Sequence, residues 1–146
     1  MQVRAVEPDD YAAVSALLAE LGRPEVSAAS DAACRAVFDA DLADEGADHL
    51  VAVDDDGTVI GFCSLHYRPR LNWTSLEAWV PDLIVSESLR SGGVGAALLG
   101  EAERRARARG CHQLALESAY FRTRAHAFYE RYGMTDAAKA FVRKLD

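Results

Sequence analysis

Residues 82–99 read DLIVSESLRSGGVGAALL, an apolar strand-like segment, then three glycines in four positions, then an apolar helix-like run. A glycine-rich turn in front of a helix suits an anion, because the first amides of a helix are unpaired and the helix dipole favours negative charge there. Without a Cβ, glycine also lets a phosphate approach the backbone closely. Arg90 adds a fork of donors at the entrance. The segment therefore predicts a loop that holds a phosphate or pyrophosphate.

Three kinds of phosphate-binding motif compete for this loop. A Walker loop needs a lysine after its glycines, and none follows Gly95. A Rossmann fingerprint needs a third glycine where Leu98 stands, and the loop lies past the middle of the chain without repeated βαβ units. The acetyl-CoA pyrophosphate pattern, R/Q-x-x-G-x-G/A, fits Arg90, Gly93 and Gly95 in spacing.

The flanking segments predict one mixed α/β domain over residues 1–146, with an α+β mixed sheet. Hydrophobic periodicity and glycine or proline punctuation define its elements. We expect strands at 2–6, 50–53, 58–67, 73–85, 112–118 and 140–145, and helices at 8–22, 30–45, 93–109 and 122–133. Pro81 lies inside the fourth strand and predicts a bulge or an edge there, because proline cannot donate to the ladder.

Composition and charge narrow the class of protein. No apolar run approaches the ~20 residues that span a bilayer, and the three cysteines lie far apart without a CxxC motif. We therefore expect a cytoplasmic protein that binds no membrane, and, in the absence of a basic stripe with aromatics, no nucleic acid. Residues 1–56 carry a net charge of −11 and residues 57–146 a net charge of +4, so the two halves are suited to different partners.

Two motifs give the chain a family resemblance. DLIVSESLRSGGVGAALL resembles the fourth strand and pyrophosphate loop of the GCN5-related N-acetyltransferase (GNAT) superfamily, and AHAFYERYGM at 125–134 resembles a late helix of that family. The element order matches over essentially the whole length. The resemblance implies acetyl-CoA as co-substrate, no metal, and transfer of an acetyl group to a primary amine.

The resemblance also implies which residues bind the cofactor. The fourth strand splays from the fifth, and pantetheine lies in the resulting cleft like an extra strand. The implied pantetheine contacts are the backbone groups of Leu83, Ile84 and Val85. The implied pyrophosphate contacts are Arg90, Ser91, Gly92, Gly93, Val94, Gly95 and Ala96. Arg122 stands where many relatives carry a cofactor-binding asparagine, and it is a further candidate for a phosphate contact.

Direct acetyl transfer needs a base for the amine, donors for the tetrahedral oxyanion and an acid for the departing thiolate. Tyr129 matches the family tyrosine that protonates the thiolate, and a tyrosine with a pKa near ~10 carries its proton at neutral pH. Glu77 and Asp82, on or near the splayed strand, are candidate bases. A water chain is an equal alternative, and His66 and Glu117 are weaker ones.

The acceptor is expected to enter opposite the cofactor, near the acidic first half of the chain. That polarity favours a cationic small-molecule or peptide amine. The family resemblance allows a homodimer. Two other classes stay open at this point: a non-catalytic acyl-CoA sensor, and an unrelated nucleotide-binding fold.

Overall fold

The computed structural model describes residues 1–90 and 92–145. The chain divides into two compact units, Met1–Ala115 and a smaller one from Leu116 onward. The helices and strands of the larger unit are β1 (Gln2–Ala5), α1 (Tyr11–Glu20), α2 (Asp31–Ala43), β2 (Ala47–Val53), β3 (Val59–Arg68), β4 (Glu77–Trp79), β5 (Leu83–Val85), α3 (Val94–Ala108) and β6 (Gln113–Ala115). The smaller unit contains α4 (Thr123–Tyr132).

The six strands form one mixed sheet. Its order is β1-β2-β3-β4-β6, and β5 also pairs with β3. The β4–β6 pair is parallel, whereas the pairs formed by β1 with β2, β2 with β3, and β3 with β4 and β5 are antiparallel. The predicted α/β class with a mixed sheet is therefore confirmed.

Side-chain alternation gives the two faces of the sheet different partners. On one face Phe62 of β3 packs with Val14 and Leu17 of α1. On the other face Gly61 of β3 lies against Leu98 of α3. Successive strand residues point to opposite faces, so every second residue of β3 belongs to the α1 face. We call the first surface the α1 face and the second the α3 face.

The predicted helix at 30–45 forms, but the side it turns inward differs from the expected one. Helical spacing predicts an apolar side made of Ala33, Val37, Ala40 and Leu42. In the structure Val37 is instead 64% exposed, and Phe38 packs against the core. An aromatic ring one position along buries more apolar area than valine, and Phe38 lies edge-on to Tyr11 of α1 with ring centroids 5.3 Å apart. The consequence is that Asp41, one turn from Phe38, lies on the partly buried side of α2.

The predicted last strand at 140–145 is wrong. Residues 134–145 have no helix or strand assigned, and Phe141 is 92% exposed. The alternation of polar and apolar residues at 140–145 is compatible with a strand. A strand also needs the free edge of a neighbouring strand, and a local sequence pattern does not show whether one is present.

No helix within residues 1–90 and 92–145 has both the length and the apolar character needed to cross a membrane. Cys34, Cys63 and Cys111 are free thiols.

Candidate active site

A β-bulge interrupts the predicted fourth strand at Pro81. His66 of β3 is opposite Trp79 and Cys63 is opposite Leu83, so two residues of β3 face three residues of the other strand. The Ser64 amide donates to the Asp82 carbonyl at 2.9 Å, and the Asp82 amide donates to Ser64 Oγ at 2.9 Å instead of to a backbone carbonyl. The bulge that Pro81 predicted is therefore present. The Asp82 amide, which loses its backbone acceptor at the bulge, donates to the Ser64 hydroxyl instead.

The sheet opens immediately after the bulge. β6 pairs with β4 as far as Trp79, and the Val80 amide donates to the Ala115 carbonyl at 2.9 Å. Beyond that point, β5 pairs only with β3 among the described strands. The Ser86 amide donates to the Ile60 carbonyl, so even-numbered residues of this segment direct their backbone groups toward β3.

The same alternation determines which of the three predicted pantetheine contacts have backbone groups that face the open edge. The backbone groups of Leu83 and Val85 face the open edge, whereas those of Ile84 face its partner Phe62 on β3. An extended ligand beside β5 would therefore find two residues to bond with, Leu83 and Val85.

The glycine loop ends in a helix N-terminus that has no side-chain cap among the residues that the structure describes. After a 3-10 turn at Glu87–Leu89, Gly93 takes φ +80° as the N-cap of α3, a left-handed conformation that favours glycine. The first helical bond runs from the Ala97 amide to the Gly93 carbonyl at 3.0 Å. The earlier amides of the turn, from Val94 to Ala96, have no acceptor within the helix. Arg90 Nε donates to the Val85 carbonyl at 3.3 Å, and Ser91 lies outside the described residues.

Glu77 is a buried carboxylate with its oxygens already engaged. Arg68 Nε donates to Oε1 at 2.6 Å, Arg70 Nη1 lies 3.2 Å from the same oxygen, and the Gln113 amide donates to Oε2. Burial raises the pKa of this carboxyl, but the hydrogen bonds from Arg68 and Gln113 and the charge of Arg70 outweigh it, so the pKa is lowered overall. A carboxylate held in this way has little tendency to take a proton from an amine.

Asp82 has one oxygen taken and one oxygen loosely held. Arg23 Nε donates to Oδ1 at 2.8 Å, whereas Oδ2 lies 3.4 Å from Ser64 Oγ. The Asp82 side chain is 21% exposed, against 3% for Glu77. Glu77 is odd-numbered and Asp82 even-numbered, yet the extra residue in the bulge puts both on the α1 face.

The comparisons with known proteins agree with this geometry. Residues 14–134 match the family model described as "Acetyltransferase (GNAT) family". The chain belongs to the GNAT acetyltransferase family. It is 30% identical to the aminoalkylphosphonate N-acetyltransferase of Salmonella typhimurium, over 99% of this chain and 91% of that protein.

Two further GNAT relatives extend the comparison. The aminoglycoside N(6')-acetyltransferase type 1 of Klebsiella aerogenes is 34% identical over 62% of this chain and 60% of that protein. A solved structure from Agrobacterium tumefaciens str. C58, assigned as an acetyltransferase, has a TM-score of 0.87 and 25% identity, covering 99% of this chain and all of the other. Membership makes this chain an acetyltransferase of a family whose enzymes use acetyl-CoA as co-substrate, so the alternative of an unrelated nucleotide-binding fold is wrong.

The other predicted GNAT site residues lie in the smaller unit. Tyr129 is on α4, where its ring packs beside Phe128 with centroids 5.4 Å apart. Arg122 is the N-cap residue of α4, and its guanidinium lies 5.0 Å from the centre of the Phe121 ring. Gly133, at φ +102°, ends the helix as its sequence position predicted.

The sequence alone did not identify two features of this GNAT chain. Gly61 lies under α3, and a Cβ there would be 2.9 Å from Leu98 Cδ1 and 3.1 Å from Val94 Cγ1, so the close approach of helix and sheet depends on glycine. His49 of β2 is buried on the α1 face beside His66, with ring centroids 5.2 Å apart. Burial lowers the pKa of His49 and favours the neutral imidazole. Only the pairing of β2 with β3 brings these histidines together.

Proposed function

We propose that this chain transfers an acetyl group from acetyl-CoA directly to the primary amine of a small molecule. One observation carries the proposal: the open edge of β5 leads, within one strand and one turn, to the uncapped N-terminus of α3. A molecule with an extended amide-bearing arm and a pyrophosphate matches both features, since the arm needs strand-like partners and the pyrophosphate needs free amides. The family membership supports the same molecule, acetyl-CoA.

Each part of the cofactor has proposed contacts. The pantetheine amides bond to the backbone of Leu83 and Val85, and Ile84 between them holds β5 in place through its pairing with Phe62 of β3. The pyrophosphate lies on the amides of the loop and first turn, for which the proposed set is Arg90, Ser91, Gly92, Gly93, Val94, Gly95 and Ala96. Arg122 is proposed as a second cationic contact for the phosphates.

The chemistry is divided among three groups. The Leu83 amide is the first past the bulge to face the open edge, which makes it the proposed donor to the tetrahedral oxyanion. Asp82 is the proposed base, acting through water, because its Oδ2 is loosely held and its side chain reaches solvent. Glu77 then serves to position Arg68 and Arg70, and Tyr129 is the proposed acid for the coenzyme A thiolate.

The acceptor is proposed to be a small cationic amine bound on the α1 face. The charge of the first half of the chain supports this, because residues 1–56, which contain α1 and α2 of that face, carry a net charge of −11. A second candidate is an aminoalkylphosphonate, since the relative that carries this substrate in its name aligns with 99% of the chain. The single-domain organisation, the homodimer and the cytoplasmic location stay predictions.

Two measurements test the proposal in sequence. Thermal unfolding with acetyl-CoA, and with NAD and ATP as controls, tests the cofactor: at ~100 times its Kd a ligand adds about 2.7 kcal/mol, or a rise of roughly 5–10 °C. Release of free coenzyme A thiol is then followed with a panel of aminoglycosides, polyamines, aminoalkylphosphonates and neutral amines. A panel in which neutral or anionic amines have higher kcat/KM than cationic ones would overturn the cationic acceptor, and no rise with acetyl-CoA would overturn the proposed cleft.

A further inference from the structure

Three potential metal ligands meet on the α1 face, outside the proposed cofactor cleft. They are Asp41 of α2, His49 of β2 and His66 of β3. One carboxylate oxygen and one ring nitrogen of each histidine all lie within 4.8 Å of one another. Atoms that share an ion at ~2.1 Å lie about 3–4 Å apart, so small side-chain rotations bring these three to bonding distance.

His49 supplies an independent observation. Its side chain is only 6% exposed, and neither ring nitrogen has a hydrogen-bond partner among the described residues. The nearest charged group, Asp41 Oδ2, is 3.7 Å from Nε2, which is too long for a hydrogen bond. A buried polar group without a partner costs free energy, so this imidazole needs a ligand that the protein itself does not provide.

The surroundings keep the cluster in place. His66 packs beside the Trp79 indole, with ring centroids 5.9 Å apart, and His49 stacks beside Phe62 at 6.3 Å. β2 and β3 fix the two histidines relative to each other, because Ala47 pairs with His66 and His49 pairs with Ser64. Asp41 comes from the partly buried side of α2, the side that Phe38 turns toward the core.

We propose that Asp41, His49 and His66 bind one divalent transition-metal ion on the acceptor side of the sheet. Two imidazole nitrogens and one carboxylate oxygen favour Zn²⁺, Co²⁺ or Ni²⁺ over Mg²⁺, which prefers oxygen ligands. Three protein ligands leave an open position on a tetrahedral ion. His66 and Ser64 lie on the same face two residues apart, about 6–7 Å along β3, so the open position lies near the bulge. An acceptor with an oxygen substituent could occupy it while its amine approaches the thioester.

The test uses tag-free protein, treated with a chelator and dialysed, without acetyl-CoA or acceptor. Calorimetric titration with Zn²⁺ and Co²⁺ is expected to show one site per chain, and Mg²⁺ is expected to bind at least tenfold more weakly. Asp41→Asn and His66→Gln are expected to weaken Zn²⁺ binding tenfold or more, since each removes one of three ligands. Asp39→Asn is the matched control, because Asp39 is an exposed carboxylate on the same helix.

Thermal unfolding gives a second readout that does not depend on catalysis. Saturating Zn²⁺ is expected to raise the Tm of the wild-type chain and of Asp39→Asn, and to leave Asp41→Asn nearly unchanged. Asp41 is 42% exposed at its side chain, so its amide variant is expected to fold. Binding of equal strength in Asp41→Asn, His66→Gln and Asp39→Asn, or no saturable binding by the wild-type chain, would overturn the proposal. Failure here leaves the acetyl-CoA measurement untouched, because the two use different ligands.

Discussion

Replacing Glu77 with glutamine distinguishes a structural carboxylate from a catalytic base. The variant keeps the shape but removes the charge that Arg68 contacts at 2.6 Å and Arg70 at 3.2 Å. Hydrogen bonds to charged groups each contribute about 1.5–3 kcal/mol, and Arg70 is half exposed, so we expect a loss of about 2 kcal/mol at neutral pH. For a chain of this size that corresponds to a fall in Tm of roughly 4–8 °C.

The pH dependence of this loss has a definite sign. The folded-state pKa of Glu77 lies below its ordinary value, so its charge stabilises the fold above about pH 4.3. That contribution disappears as the pH falls through the lowered folded pKa. The Tm difference between wild type and Glu77→Gln is therefore expected to be constant near neutral pH and to narrow below about pH 4.

Calorimetry and steady-state kinetics on the same preparations complete the test. At temperatures below the unfolding transition we expect kcat of Glu77→Gln to fall by less than tenfold, whereas Asp82→Asn should lower kcat/KM by about 100-fold or more. Glu25→Gln is the control, since Glu25 is an exposed loop carboxylate. An unchanged Tm together with a kcat lowered 100-fold or more would refute the reasoning, because that is the effect of removing a general base.

Four other substitutions test separate parts of the structure. Gly61→Ala places a Cβ 2.9 Å from Leu98, which should lower the free energy of unfolding by about 1–3 kcal/mol through overpacking. It should also displace the start of α3 and raise the KM for acetyl-CoA. Denaturant titration measures the first effect, and steady-state kinetics the second. Gly93→Ala meets no atom within 4 Å but forces φ +80° on alanine, so the Tm should fall by an amount equivalent to about 1 kcal/mol. Tyr129→Phe should lower kcat by about 100-fold or more, with calorimetric binding of acetyl-CoA unchanged. Asp10→Asn breaks a buried pair in which the Arg4 hydrogen bonds lower the Asp10 pKa, so about 2 kcal/mol should be lost at pH 7 and the Tm difference from wild type should narrow below about pH 4.

Features that depend on the backbone preference of a single residue type could be predicted from the sequence. Proline inside a strand predicted a bulge or an edge at Pro81, and glycines predicted the start of α3 at Gly93 and the end of α4 at Gly133. The strands predicted at 50–53 and 58–67 form as β2 and β3, although β2 begins three residues earlier and β3 is shifted by one residue.

Features that depend on contacts between distant segments could not be read from the sequence. Gly61 matters only because α3 crosses directly above it. The preference for Phe38 over Val37 on the inner side of α2 depends on the shape of the space that Tyr11 leaves. Glu77 is a candidate base by its position in the sequence, and the pattern did not show that Arg68 and Arg70 would both contact it.

The extra residue at the bulge also has a consequence for how this fold can change. Before Pro81 the odd-numbered side chains point to the α1 face, and after it the even-numbered side chains do. The alternation of residues between the two faces therefore changes its phase by one position. Deletion of one codon at 80–82 would restore a single phase and join β4 to β5 as one straight strand. Such a strand would pair with β3 without an extra residue to accommodate. The change of phase along this strand is thus encoded by an insertion one amino acid long.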